Sequence, residues 1–131
     1  MNRTLLDTSA YSAFLRGHDG IKATLQRTDE ICLSATILGE LLAGFRRGVH
    51  RRKNETELET FLSSPRVQVL DVDRATAERY ALILDGLRRS GTPIPTNDIW
   101  IAATAMQHGL RLVTTDAHYQ HVAQVVVDYF E

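Results

Sequence analysis

Four carboxylates spread along the 131-residue sequence stand where chemistry can be done. Asp7 closes the apolar run Leu5-Leu6, and Asp116 closes Leu112-Val113-Thr114-Thr115. Asp98 follows Pro95-Thr96-Asn97 at the head of an alanine-rich pattern, and Glu40 lies inside the run Ile37 to Phe45. Singly, each has an ordinary reading: an Asp in a first helical turn complements the helix dipole, and a Glu on the border of a stripe faces solvent. Gathered in a partly desolvated cleft they would repel one another, an arrangement that makes physical sense with a divalent cation between them. Oxygen-only donors suit Mg²⁺ or Mn²⁺. Zinc is disfavoured, because the five histidines show no ligand spacing and Cys32 is the single cysteine. His118 and His121, three apart beside Asp116, read as surface or packing residues.

The elements that must position these acids are legible in the pattern. Pro93 and Pro95 stop any helix from entering Thr96, and Thr96 or Asn97 is the expected N-cap of a helix whose Ile99, Ala102, Ala103 and Met106 recur at helical spacing. Arg3 to Asp7 reads as a short buried strand, with Thr8-Ser9 capping a helix Ala10 to Leu15, and Ile21 to Arg27 as a second short helix. Glu30 to Ser34 reads as a strand covered on both faces, then a helix with Ile37, Leu38, Leu41, Leu42 and Phe45 inward. Gly39 and Gly44 in that helix imply a close approach to its backbone. A helix Glu55 to Leu62, a strand Val67 to Val72, and a long helix from Asp73 or Thr76 to about Arg89 with Ala77, Tyr80, Ala81, Leu84 and Leu87 on one face follow. Gly109 caps the Asp98 helix, Leu110 to Thr115 is a strand, Ala117 to Val122 a short helix or turn, and Val125-Val126-Val127 a last strand. Strands separated by helices imply an α/β fold with a mainly parallel sheet of about five strands flanked by helices. Such sheets hold ligands at the carboxyl ends of their strands, the end where Asp7 and Asp116 emerge.

The length is that of one domain, expected over 1–131, able to bury a core without staples. The lone Cys32 sits in Ile31-Cys32-Leu33 and reads as packing in a reducing compartment. No apolar run approaches the roughly 18 to 20 residues of a membrane span, so a cytoplasmic protein is expected. The net charge of -1 decides nothing about nucleic acid, but the charge is uneven. Arg46-Arg47-Gly48-Val49-His50-Arg51-Arg52-Lys53 is one basic cluster, bland as a solvated connection and capable of phosphate contact.

At these residues the chain resembles the PIN-domain ribonucleases, in particular VapC-type toxins of toxin–antitoxin pairs. The match runs from Leu5-Leu6-Asp7-Thr8-Ser9 through Glu40 and Asp98-Ile99-Trp100-Ile101-Ala102-Ala103-Thr104-Ala105 to Thr114-Thr115-Asp116-Ala117-His118-Tyr119, essentially the whole chain. Tyr119 departs from the commoner Phe. The resemblance implies a single PIN-like domain and a metal-dependent endoribonuclease. It also implies a homodimer, held inactive by a cognate VapB-like antitoxin whose tail enters the acidic groove. Asp7, Asp98 and Asp116 would then hold Mg²⁺ or Mn²⁺, with Glu40 as a further ligand or as the base orienting the attacking water. Thr8, Ser9, Thr114 and Thr115 would support the carboxylates, and Arg46, Arg47, Arg51, Arg52 and Lys53 would position the RNA backbone.

Two rivals differ in class. An aspartyl phosphoacceptor domain also puts Asp at strand ends, but it requires a Lys at a later strand end, and Lys22 and Lys53 are badly placed. A catalytically silent PIN-fold binding module would keep the fold without the chemistry; the full set of four acids argues against it.

Overall fold

Four short strands with largely apolar centres, β1 (Arg3–Leu6), β2 (Glu30–Ser34), β3 (Val67–Leu70, interrupted only by Gln68) and β4 (Arg111–Thr114), join β5 (Val127–Tyr129) in one sheet of order β3-β2-β1-β4-β5. The computed structural model describes residues 2–131, and every pairing in its sheet is parallel. Successive residues of a strand point to opposite faces, yet Leu5, Leu6, Cys32, Leu33, Leu112 and Val113 are all fully buried. Helices therefore cover both faces of the central strands, as all-parallel pairing demands. The chain leaves β1 toward β2 and β3 on one side and returns through β4 to β5 on the other, so the topological switch point lies between β1 and β4. Their register pairs Leu6 with Val113, and the Asp7 N–H continues the ladder to the Val113 carbonyl at 3.2 Å. Asp7 and Asp116 leave the sheet side by side at this carboxyl end.

The helices are α1 (Thr8–Leu15), α2 (Asp19–Gln26), α3 (Ala35–Arg47), α4 (Arg51–Leu62), α5 (Arg74–Ser90) and α6 (Thr96–His108). Helix α6 is central: Asp98, Ile99 and Ile101 to Ala105 are all buried, a broader burial than one stripe, with small residues where the packing is tightest and Met106 half-buried. Tyr80 of α5 stacks on Trp100 of α6 with ring centroids 4.2 Å apart. Gly91 and Gly109 take left-handed φ of 67° and 65° to end α5 and α6. Among the described residues no helix is long and apolar enough to cross a membrane.

Several elements differ from their sequence reading. Asp7, not Thr8 or Ser9, caps α1, and Pro95 rather than Thr96 or Asn97 precedes α6, with no side-chain cap. Helix α4 begins at Arg51, four residues early. Its first-turn cations oppose the dipole, but they are good helix formers and Arg51 pairs with Glu55 one turn on. The inward face of α5 is Thr76, Ile83 and Leu87 with Tyr80 and Leu84 partly covered, while Ala77 and Ala81 are exposed: the stripe is rotated because Tyr80 lies over Trp100. Leu42 is also exposed. Nothing stands within 4 Å of where a Cβ would lie on Gly39 or Gly44, so the expected close approach is absent among the described residues. The last strand starts at Val127, because Val122 to Val125 close a turn; Val126 contributes only its carbonyl, which accepts from the Leu112 N–H.

Candidate active site

The N-terminus of α1 fixes the first acid. Asp7 Oδ1 accepts from the Ala10 N–H and the Ser9 hydroxyl, both at 2.8 Å, and Oδ2 accepts from the Thr114 hydroxyl at 2.6 Å. Thr114, at the end of β4, in turn accepts from the Asp116 N–H at 2.9 Å, so one threonine joins the two strand-end acids. Ser9 accepts from the Thr115 N–H at 3.0 Å. Asp7 is 3 % exposed, and burial pushes its carboxyl up to about 6, against the Thr114, Ala10 and Ser9 hydrogen bonds that favour the anion. The nearby Asp116 charge pushes in the same direction as burial.

Asp98, in the first turn of α6, is buried beside the 3-10 turn Ala117–His121. Its Oδ1 accepts from the Tyr119 hydroxyl at 3.2 Å; its Oδ2 stands 3.3 Å from His118 Nδ1. That same nitrogen is 3.1 Å from Asp116 Oδ1, which also accepts from the His118 N–H at 2.9 Å. Burial, then repulsion from Asp116, raises the Asp98 carboxyl above its ordinary range, while Tyr119 and His118 oppose the rise. Asp98, Asp116 and His118 each offer a ligand atom, all within 4.8 Å of one another. Two carboxylates and an imidazole nitrogen this close, with the proton affinity of Asp98 raised, are a fit for a divalent cation.

Glu40, half-buried on α3, is held at both oxygens: Oε1 accepts from the Thr8 hydroxyl at 2.6 Å and Oε2 from the Asn97 amide at 3.3 Å. Thr8 follows Asp7 and Asn97 precedes Asp98, so the fourth acid is tied to the neighbours of two others. It lines a groove of about 630 Å³ with Thr8, Thr36, Gly39, Ala43, Arg47 and Asn97. The buried Tyr119 hydroxyl feels all of this: after burial itself, the charges of Asp98, Asp7 and Glu40 raise its pKa, so it remains a neutral donor. A separate apolar cavity of about 270 Å³, lined by Phe14, Leu25, Ile31, Phe61 and Val67, lies at the opposite, amino end of the strands and holds none of the four acids.

Asp98 and Asp116 are thus brought together across His118, with oxygens within 4.8 Å, and Asp7 and Glu40 join through Thr114, Thr8 and Asn97. Thr8, Ser9 and Thr114 bond acids by their side chains, whereas Thr115 takes part through its backbone. Of the basic cluster, Arg47 lines the acidic groove; Arg46, Arg51, Arg52 and Lys53 are exposed, with Arg51 engaged by Glu55. The reading of His118 as a surface or packing residue is corrected: its ring is half in solvent, but its Nδ1 sits between two of the acids. Asn97 and Tyr119 were not assigned to the site from sequence, although both stand within three residues of an acid in it.

The PIN domain family model matches residues 4–125. Ribonuclease VapC4 of Mycobacterium tuberculosis is 33% identical over 132 residues, covering 97% of this chain and 96% of its own. Toxin FitB of Neisseria gonorrhoeae is 32% identical over 135 residues, 94% of each chain. Among solved structures, DNA-bound VapBC from Salmonella typhimurium has a chain that superposes with a TM-score of 0.83 at 27% identity over 98% of both chains.

Proposed function

The chain belongs to the PIN domain family, and from that premise we propose that it is the endoribonuclease toxin of a type II toxin–antitoxin pair, hydrolysing RNA phosphodiester bonds with Mg²⁺ or Mn²⁺. The observation that carries the reading is the approach of Asp98 and Asp116 to one point, beside the threonine that links Asp116 to Asp7. Asp98, Asp116 and Asp7 would hold the cation. When bound, it supplies Lewis acidity toward the phosphate and neutralises charge developing on the phosphoryl oxygens.

The protein's own groups do the remaining work. Glu40, fixed at both oxygens and open to the groove, orients the attacking water and takes up its proton. Thr114 and Ser9 keep Asp7 in one orientation despite its burial. Tyr119 donates to Asp98 and cannot compete as an anion. Arg47, on the wall of the groove that contains Glu40, offsets the acidic field for an RNA backbone, and Arg46, Arg51, Arg52 and Lys53 extend the cationic surface beyond it. In this reading the whole chain, 1–131, is one nuclease domain. It works in the cytoplasm as a homodimer and is silenced by a cognate VapB-like antitoxin.

Cleavage of total RNA, with Mg²⁺ and with chelator, tests the activity. Fragments are expected with the metal alone; no cleavage under either condition leaves the silent binding module.

A further inference from the structure

The geometry points to His118 as a nitrogen ligand of the cation site, a ligand that tilts the site toward Mn²⁺ over Mg²⁺. The inference rests on the metal-site reading above and adds to it a donor that an all-carboxylate site lacks. His118 lies two residues after Asp116 on the 3-10 turn, and its own N–H closes that turn on Asp116 Oδ1 at 2.9 Å. The backbone thereby brings Nδ1 over the carboxylates, 3.1 Å from Asp116 Oδ1 and 3.3 Å from Asp98 Oδ2. Adjacent donors of an octahedral ion with bonds of ~2.1 Å lie about 3.0 Å apart, √2 times the bond. The two nitrogen–oxygen spacings stand close to that value, and all three donor atoms lie within 4.8 Å of one another, near enough to share one ion.

The side chain is 51% exposed, so the ring can tilt while Nε2 stays hydrated. Magnesium is a hard ion that demands near-ideal octahedral oxygen and gives up water reluctantly, whereas Mn²⁺, although the weakest of the divalent first-row ions for nitrogen, still gains from an imidazole donor.

The test loads the intact protein with Mn²⁺ and reads the bound ion by pulsed electron paramagnetic resonance, with Mn²⁺ and Mg²⁺ affinities measured by calorimetry. Directly coordinated nitrogen modulates the Mn²⁺ spin echo. The wild type is expected to show that modulation and His118→Ala to lose it, with Mn²⁺ affinity falling about 10-fold and Mg²⁺ affinity nearly unchanged. His118→Gln, which retains a polar side chain but no imidazole, is expected to behave like the alanine variant. Bound Mn²⁺ without nitrogen modulation, but lost in Asp98→Asn, overturns the histidine ligand and leaves the carboxylate site standing. Equal losses of Mn²⁺ and Mg²⁺ affinity in the His118 variants also overturn it. Failure of the wild type to bind either ion overturns both readings.

Discussion

The hydroxyl of Tyr119, a residue 1 % exposed, donates to Oδ1 of Asp98 and leaves Oδ2 directed at Asp116 and His118. This bond favours ionised Asp98 against the burial that favours its neutral form. Tyr119→Phe fills the same space, so the fold is expected to survive with a loss of about 1 kcal/mol from the missing hydrogen bond. The acid limb of the pH–rate profile is expected to move to higher pH, because Asp98 then holds its proton more tightly. Profiles of kcat/KM for the two proteins check this, and superimposable acid limbs would remove Tyr119 from the site.

Asp7 makes a separate prediction about stability. Burial holds its folded carboxyl up at about 6, above the ordinary 3.8. The folded state therefore binds more protons than the unfolded state between these values, and stability must fall as pH rises through that window. A shift of this size corresponds to on the order of 3 kcal/mol at most. Urea unfolding of metal-free protein from pH 4 to 7 is expected to show the fall, and Asp7→Asn to flatten much of it. Asp98, shifted in the same direction, keeps some slope in the variant. An unchanged slope would mean that Asp7 is not the buried acid responsible.

The basic cluster divides by position. Arg47 shares the groove with Glu40, whereas Arg51 is tied to Glu55. In an inactive Asp98→Asn background, Arg47→Gln is expected to weaken RNA binding and lower the salt slope by about one. Replacing Arg51, Arg52 and Lys53 together by Gln is expected to flatten it further. Filter binding from 50 to 200 mM salt measures both, and unaltered slopes would return these cations to the role of a solvated surface.

If the acids share an ion, its stabilising effect must depend on them. Mn²⁺ is expected to raise the wild-type melting temperature through preferential binding to the folded state, and to raise those of Asp7→Asn and Asp116→Asn less. Thermal melts in chelator and in saturating Mn²⁺ make the comparison; equal increments in all three proteins would separate the acids.

The fold and the acids were legible for one reason: short apolar strands ending on Asp, alternating with helices, leave a parallel sheet as the economical solution, and such a sheet brings its strand ends together. Asp7 and Asp116 are neighbours because β1 and β4 are paired. Register and side-chain direction were less legible. The start of α4 was hidden by charges that helix propensity tolerates, and the face of α5 was set by the stacking of Tyr80 on Trp100, a tertiary contact without a local signal. His118 escaped because its partners are one acid two residues away and another twenty residues away, a spacing outside the usual metal motifs. Asn97 looked like a cap and proved to be a donor to Glu40.

The central claim, that Asp98 holds the cation on which RNA hydrolysis depends, is tested most directly by single-turnover cleavage of RNA at saturating Mg²⁺. Wild type and Asp98→Asn are compared, with circular dichroism confirming that both are folded. Asn keeps the shape and the hydrogen bond from Tyr119 but offers no charge to a cation. The account predicts a rate loss of at least about 10³, on the scale of other removed electrostatic contacts at a reacting phosphate. A folded Asp98→Asn protein that cleaves at the wild-type rate would contradict it.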